Sequence, residues 1–180
     1  MLALLLSQVM DWQPLKFHPK EMFEYSIVQE ENGEKTEGNY TIRIDGKTLS
    51  IKGKWGNSSG KVTIQVDDPE QISTYLFGQM MFNPWLAPLG VTIFAAIPYQ
   101  IMGAGEYTME QSDEEGTIRV KKGSSCSYAG QKGRRLVVEE NGKVTYDLCI
   151  KSDIGLPLYL KTVSEDGSVY EARMIKYSRK

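Results

Sequence analysis

The fold is decided in the stretch Tyr40-Thr-Ile-Arg-Ile-Asp-Gly-Lys-Thr-Leu-Ser-Ile51, where apolar and polar side chains alternate on both sides of Asp45-Gly46. Such alternation is typical of a strand with one buried face, and Asp-Gly is a favoured dipeptide in tight hairpin turns. A two-residue turn on Asp45-Gly46 would pair Ile42 with Leu49 and would place the apolar residues on one face. The stretch therefore predicts an antiparallel hairpin with one side against a core.

The same pattern extends to both sides of this hairpin. A turn on Asn32-Gly33 would pair Tyr25 with Tyr40, which again puts apolar residues on the shared face. A further strand at Val62–Val66 follows a loop at Gly56–Gly60. Residues 22–66 therefore predict the first half of an antiparallel sheet, with four strands in sequence order.

Strand patterns return after residue 105 and predict a second half of the sheet over residues 106–178. A three-residue loop with a bulge at Asn141-Gly142 would pair Leu136 with Leu148, whereas a two-residue turn without a bulge would mix the two faces. The main strands expected here are Leu136–Glu139, Val144–Ile150, Leu158–Val163 and Val169–Tyr177. The whole chain predicts about nine or ten strands.

Between the two halves, at residues 67–105, lies an insertion of different character. The stretch Gln71–Gly105 contains 35 residues and none of them is charged. A membrane span would need about 20 uninterrupted apolar residues, but prolines interrupt this stretch at Pro84, Pro88 and Pro98. We therefore expect two short apolar helices between about Pro69 and Ile97, broken at Asn83-Pro84.

These helices are apolar on more than one face, which is typical of a helix that is fully buried or that holds something apolar. A sheet can cover only one side of them, so the other side must meet a second surface, a partner or a ligand. We expect a hydrophobic cavity between the helices and the sheet, with core packing as the alternative for the same side chains. The candidate ligand-binding residues are Met81, Trp85, Leu86, Leu89 and Phe94.

Composition limits the function. The chain has 180 residues, of which 41% are apolar, so residues 1–180 are expected to form one domain with a real core. A net charge of −2 gives no global field toward nucleic acid or an anionic membrane. One histidine and two cysteines leave little material for a metal site or a nucleophile with its base. We therefore expect no catalytic residues, no metal and no cofactor.

The Gly-x-Ser-x-Gly string at Gly56–Gly60 does not change this expectation. Such a string holds a nucleophile only on a strained turn from a strand to a helix, with a histidine in reach. Here it lies between two predicted strands, where its residues are ordinary turn formers, and His18 is the only histidine.

Two features bear on the compartment. Cys126 and Cys149 stand outside any zinc or dithiol motif, so they are either a disulfide, worth roughly 3 kcal/mol, or two buried thiols. Residues 1–20 are either an N-terminal amphipathic helix or the end of a secretory signal. Export would place the protein in the periplasm or cell envelope, and a simple helix would leave it in the cytoplasm.

Three local stretches are similar to known sequences: Leu2–Trp12 running into Phe23-Glu-Tyr25, the proline-bounded Phe82-Asn-Pro-Trp-Leu-Ala-Pro88, and Gly155–Leu160 before Glu165–Tyr170. In these and in its organisation the chain resembles the periplasmic lipoprotein-carrier family with the LolA-like half-barrel fold, and outer-membrane lipoprotein-sorting-like sequences. The resemblance implies a mainly β (α+β) protein. Its single curved antiparallel sheet would be an open half-barrel with an N-terminal helix and a mid-chain apolar helical plug.

The same resemblance implies a non-enzymatic extracytoplasmic protein that binds a lipid, an acyl chain or a lipoprotein in its concave face. An envelope protein is the further partner expected, with neither nucleic acid nor a transmembrane span involved. The alternative is a structural or protein-interaction module of the cell envelope whose concave face is filled by its own helices. A small-molecule enzyme using the same cavity is the reading that the residue inventory favours least.

Overall fold

The structure is a computed structural model that describes residues 17–66, 72–95, 109–113 and 116–180. Most of these residues lie in strands, namely β1 (Lys20–Glu31), β2 (Glu34–Asp45), β3 (Thr48–Trp55), β4 (Ser58–Gln65), β5 (Met109–Asp113), β6 (Gly116–Tyr128), β7 (Gln131–Glu140), β8 (Lys143–Ile150), β9 (Tyr159–Val163) and β10 (Val169–Arg179). The insertion contributes α1 (Ile72–Phe82), a 3₁₀ turn (Pro84–Leu86) and α2 (Ala87–Phe94). The expected break between two short helices therefore lies at Asn83.

The ten strands form one open antiparallel sheet in the order β4-β3-β2-β1-β10-β9-β8-β7-β6-β5. Nearly all neighbours follow each other in sequence, but the two halves of the sheet are joined by the first and last strands. This junction runs from Glu21 opposite Arg179 to Glu30 opposite Val169. Because it joins distant parts of the chain, no turn signal in the sequence could indicate it.

Two of the predicted registers are confirmed. Tyr25 lies opposite Tyr40, and both residues of the Asn32-Gly33 turn have positive φ, as the favoured hairpin turns require. Leu136 lies opposite Leu148, with a bulge in the strand pair. The loop there has two residues rather than three, because the bulge lies within the strands, beyond the Glu140 and Lys143 pair.

Two other expectations were wrong. The β2–β3 turn is centred one residue later than Asp45-Gly46, so that Ile44 rather than Ile42 lies opposite Leu49. Gly46 takes a φ of +58° as the first turn residue, and a shift of the partner by two residues leaves every side chain on its original face. The predicted loop at Gly56–Gly60 is only a two-residue turn, and β4 already begins at Ser58.

One face of the sheet, which we call the inner face, carries most of the core. Phe23, Tyr25 and Ile27 alternate along β1 with less buried residues, and the side chains of the next strands continue the pattern. Buried side chains of the insertion join the same cluster, namely Leu76, Met80, Leu86, Leu89 and Ile93. At roughly 1.5–3 kcal/mol for each large apolar side chain, this contact is a main source of the insertion's stability.

The outer face carries the two cysteines. Cys126 and Cys149 form a disulfide with their Cα atoms 6.1 Å apart, a distance in the ordinary range for such bonds. Beside it the rings of Tyr128 and Tyr159 stack with centroids 4.8 Å apart, and the Arg173 guanidinium lies 6.0 Å from the centre of the Tyr128 ring. These contacts hold the β6–β7 hairpin against β8, β9 and β10.

The expected N-terminal helix falls mostly on residues 1–16, which lie outside the described part of the chain. Within that part, Phe17–Pro19 lead directly into β1. None of the helices described is both long enough and apolar enough to cross a membrane.

Candidate functional site

The insertion rests on a floor of two glycines on the inner face. Tyr40, Gly53 and Gly60 are successive cross-strand neighbours on β2, β3 and β4. A Cβ atom at Gly53 would lie 2.3 Å from the Tyr40 ring, and one at Gly60 would lie 2.5 Å from the Trp85 ring. Real side chains do not approach so closely, so only glycine fits under each ring. We call Tyr40, Gly53, Gly60 and Trp85 the insertion seat.

The two rings of the seat are nearly parallel, at 9° with centroids 6.4 Å apart. The Tyr40 hydroxyl also donates a hydrogen bond of 2.6 Å to the carbonyl oxygen of Trp85. One side chain of the sheet therefore holds the 3₁₀ turn both through its ring and through its hydroxyl.

A second tyrosine holds the start of α2. The buried Tyr170 hydroxyl, on β10, donates to the carbonyl oxygen of Pro88. The Thr92 hydroxyl lies 2.5 Å from the Tyr170 oxygen and 3.2 Å from the same Pro88 carbonyl. The Tyr170 hydroxyl has a single proton and donates it to the Pro88 carbonyl. In a hydrogen bond between Thr92 and Tyr170, the Thr92 hydroxyl is therefore the donor and the Tyr170 oxygen is the acceptor.

Burial keeps these hydroxyls protonated. It raises the pKa of Tyr40, and it raises the pKa of Tyr170 against the opposing effect of the Thr92 hydrogen bond. The fully buried Tyr25, whose hydroxyl donates 2.5 Å to the Pro157 carbonyl, has its pKa raised well above the usual value by burial and by Tyr170. Groups held neutral in this way anchor the backbone and are poorly suited to general acid–base work near neutral pH.

The structure brings three of the five predicted cavity residues to the contact between insertion and sheet. Leu86 and Leu89 are completely buried in the core, and Trp85 is half-buried in the seat. Met81 and Phe94 lie in α1 and α2, but their side chains are outside the described part. A cleft of about 190 Å³ borders the insertion, lined in part by Val91, Tyr170 and Thr162, and none of Trp85, Leu86 and Leu89 lines it.

The insertion also exposes apolar side chains to solvent. Phe82 at the end of α1 is 84% exposed, Val91 in α2 is 44% exposed and Tyr75 in α1 is 37% exposed. We call these three residues the insertion's outer side. No charged residue accompanies them anywhere in Gln71–Gly105. Exposed apolar groups that gather on one element often mark an interaction site.

A buried carboxylate elsewhere has a structural role. The Glu21 side chain accepts hydrogen bonds from the Tyr177 hydroxyl at 2.7 Å and from the Arg179 guanidinium at 3.0 Å, and from the backbone N–H of His18 at 2.8 Å. These bonds tie the start of β1 to the end of β10 and neutralise the buried charge. Among the described residues, no group of three or more His, Cys, Asp or Glu side chains is placed to hold a metal ion.

Sequence reasoning missed Gly53, Gly60, Tyr40 and Tyr170 as parts of this site. A glycine inside a strand is a signal of close approach by another group, and Gly53 carried that signal within a predicted strand. Gly60 was hidden because it was assigned to a loop. Nothing in the local sequence could indicate which ring would cover either glycine.

Comparisons with known proteins give likenesses of fold at low identity. No protein-family model and no curated protein matches the chain. Among solved structures, MucB is similar with a TM-score of 0.46 and 13% identity, over 98% of this chain and 57% of that chain. A chain of the Pseudomonas aeruginosa MucA/MucB complex has a TM-score of 0.40 and 12% identity, over 97% of this chain and 55% of that one.

A DUF1329 family protein from Desulfovibrio piger is also similar, with a TM-score of 0.22 and 9% identity, over 99% of this chain and 90% of that chain. The present chain spans little more than half the length of the MucB chain and of the chain of the MucA/MucB complex that it matches.

Proposed function

We propose that the protein is a non-enzymatic, extracytoplasmic interaction module that binds an apolar segment of a partner protein on the insertion's outer side. The observation that carries this proposal is the 84% exposure of Phe82 at the end of α1. Its ring meets water although the residues around it in sequence supply a well-buried inner side. An aromatic ring so exposed, in a segment without any charged residue, is suited to contact with an apolar segment of a partner.

The filled inner face supports a module rather than an empty container. Leu86 and Leu89 are fully buried, and Trp85 occupies the seat. In this proposal the insertion acts as a plug of the concave face of a half-barrel. It is fixed to the sheet on one side so that it can present a rigid surface on the other.

The disulfide supports the location. Cys126 and Cys149 are bonded on the outer face, and such bonds persist mainly in the periplasm, at cell surfaces and in other oxidising compartments. Extracytoplasmic placement is therefore part of the proposal. Thiol labelling of the protein in its own host before and after reduction tests it, because labelling without reduction would contradict a stable bond.

A second candidate function is binding of an acyl chain between the insertion and the sheet. The cleft of about 190 Å³ beside Val91 and Tyr170 favours it, because it opens at the edge of that contact. An acyl chain entering there would displace the insertion and would meet the predicted residues, namely Met81, Trp85, Leu86, Leu89 and Phe94. Each CH₂ group removed from water would contribute about 0.8 kcal/mol.

Site-specific photocrosslinking in the native host tests the first proposal. A benzophenone amino acid replaces Phe82, and a matched control carries it at Ile175, which is 50% exposed on the outer face of β10. We expect a protein adduct from position 82 but not from position 175, with the crosslink mapped to an apolar segment of the partner. Equal adducts at both positions, or none at position 82, would contradict the proposal.

Native mass spectrometry of the purified protein tests the second candidate. A co-purifying lipid that is lost on Trp85→Ala but kept on Phe82→Ser would favour acyl-chain binding. Protein purified from its own host without any lipid would argue against it.

A further inference from the structure

Strand β4 forms one edge of the sheet. Among the described residues it pairs only with β3, over eight residues from Trp55 opposite Ser58 to Thr48 opposite Gln65. The side of β4 that faces away from β3 therefore has backbone groups that no described strand engages.

The turn shows which backbone groups these are. Gly56 and Asn57 form a two-residue turn, so its closing pair, Trp55 and Ser58, exchanges hydrogen bonds and the pairs then alternate. The bond of 2.7 Å from the Val66 N–H to the Lys47 carbonyl fits this alternation at the far end. The residues that direct their N–H and C=O groups away from β3 are therefore Ser59, Lys61, Thr63 and Gln65.

This edge has only part of the usual protection. Natural edge strands are often blunted by proline, by a bulge, by inward-pointing charge or by exposed lysines, and of these β4 has only the exposed Lys61. Strand β4 contains no proline, and its register with β3 shows no shift over its whole length. A straight strand in which four residues direct their backbone N–H and C=O groups away from the sheet is a template for the addition of one more strand.

The outer face beside this edge carries unbalanced positive charge. Lys52 and Lys61 lie directly opposite each other, and Lys54 follows on β3. All three are exposed, and none forms an ion pair with the residues that the structure describes. Like charges directly opposite each other destabilise a strand pair. An acidic side chain on an added strand would relieve this repulsion.

The inner face beside the edge is apolar. Val62 and Ile64 are half-buried, and Ile64 packs against the core. Gly60 lies under Trp85 of the seat. An added strand with apolar side chains on its inner face would extend this surface.

We propose that the β4 edge binds an extended segment of a partner protein by β-strand addition, with acidic side chains on the outer face and apolar side chains on the inner face. Pairing with β4 of a second copy would bring two sets of Lys52, Lys54 and Lys61 together, so charge favours a different chain. This site is separate from the insertion's outer side, and it does not depend on the partner proposed there.

Residue-resolved amide hydrogen exchange tests the proposal. The probe is a blocked octapeptide in which Glu alternates with Val, and its control has Lys in place of each Glu. We expect exchange at Lys61 and Thr63 to slow by about tenfold or more with the acidic peptide only. The amides of Val62 and Ile64, which already bond to β3, should change little. Failure of the acidic peptide to bind, or protection elsewhere in the protein, overturns the proposal.

Variants separate the mechanism from its alternatives. Thr63→Pro removes an outward N–H without removing a bond to β3, so it should abolish peptide binding while the melting temperature stays nearly the same. Lys61→Glu should lower the affinity for the acidic peptide by about fivefold or more. The matched control Lys143→Glu, at the start of β8, should leave that affinity unchanged. Unchanged binding by Thr63→Pro overturns the proposal.

Two further outcomes are distinguishable. A dimer of the wild-type protein in sedimentation that Thr63→Pro dissociates would assign the edge to a second copy instead. Phe82→Ser should leave peptide binding unchanged, so the failure of one proposal does not entail the failure of the other.

Discussion

Replacement of Gly60 by alanine should displace Trp85 from its seat. The new Cβ atom would lie 2.5 Å from Cε2, 2.6 Å from Nε1 and 2.8 Å from Cζ2 of the Trp85 ring, against 3.4–4 Å for ordinary contacts. The ring must therefore move by about 1 Å, which disturbs its stacking on Tyr40. Overpacking of this kind costs about 1–3 kcal/mol, of which the aromatic pair accounts for about 0.5–1.5 kcal/mol.

A double-mutant cycle measures this effect. The free energy of unfolding is obtained from urea titrations followed by circular dichroism for wild type, Gly60→Ala, Trp85→Ala and the double variant. Because the clash vanishes with the ring, Gly60→Ala should be neutral or slightly stabilising in the Trp85→Ala background. The coupling energy should therefore be about 1–3 kcal/mol.

Gly78→Ala is the matched control, because a Cβ atom at Gly78 in α1 would meet nothing within 4 Å. This change should stabilise the protein by roughly 0.5–1 kcal/mol, as a helix favours alanine over glycine. An equal cost of Gly60→Ala with and without the Trp85 ring would refute the seat. A neutral Gly60→Ala in the wild-type background would do so as well.

Three other changes should give measurable effects. Tyr170→Phe removes the hydroxyl that donates to the Pro88 carbonyl. This change should lower the free energy of unfolding by about 1–2 kcal/mol and should speed amide hydrogen exchange in α2. Unchanged exchange in α2 would contradict the anchoring role of Tyr170. Burial raises the pKa of the Tyr25, Tyr40 and Tyr170 hydroxyls, so above about pH 10 the unfolded chain releases protons that the folded protein keeps. The free energy of unfolding should therefore fall as pH rises above that value, and urea titrations at increasing pH that show no fall would oppose this reasoning. Reduction of Cys126–Cys149, which closes a loop with a sequence separation of 23, should cost about 3 kcal/mol, and the Cys126→Ser/Cys149→Ser variant should no longer respond to reductant.

Local signals explain which parts of the fold could be predicted. The Asn32-Gly33 register is fixed because both residues take positive φ and so determine the turn. The Asp45-Gly46 register was wrong because two registers put the same side chains on the same face, and face patterning cannot separate them. The pairing of β1 with β10 has no turn between its strands, so hydrophobic patterning shows both strands without showing that they meet.

The candidate site was predictable only in part for the same physical reason. An uncharged, proline-broken segment indicated apolar helices, and Trp85, Leu86 and Leu89 do lie at the contact with the sheet. The seat itself requires that Gly60 of the sheet edge and Trp85 of the insertion meet across a fold in the chain. Such complementarity is a property of two surfaces, and neither stretch alone contains it.

The topology explains why the side of the insertion that faces the sheet is apolar. It does not explain why the side that faces solvent is apolar as well. The chain between β4 and β5 connects the two opposite edges of a ten-stranded sheet, which are about 43 Å apart along nine strand spacings. A connection of this kind is stable when it crosses the face that holds the core, so burial of Leu86 and Leu89 follows from the strand order. The same argument sets no requirement on the side turned to solvent, where polar residues would serve the fold equally well. The fold therefore does not account for the exposed ring of Phe82 in a segment without charge, and that is why photocrosslinking at this position tests the proposed function most directly.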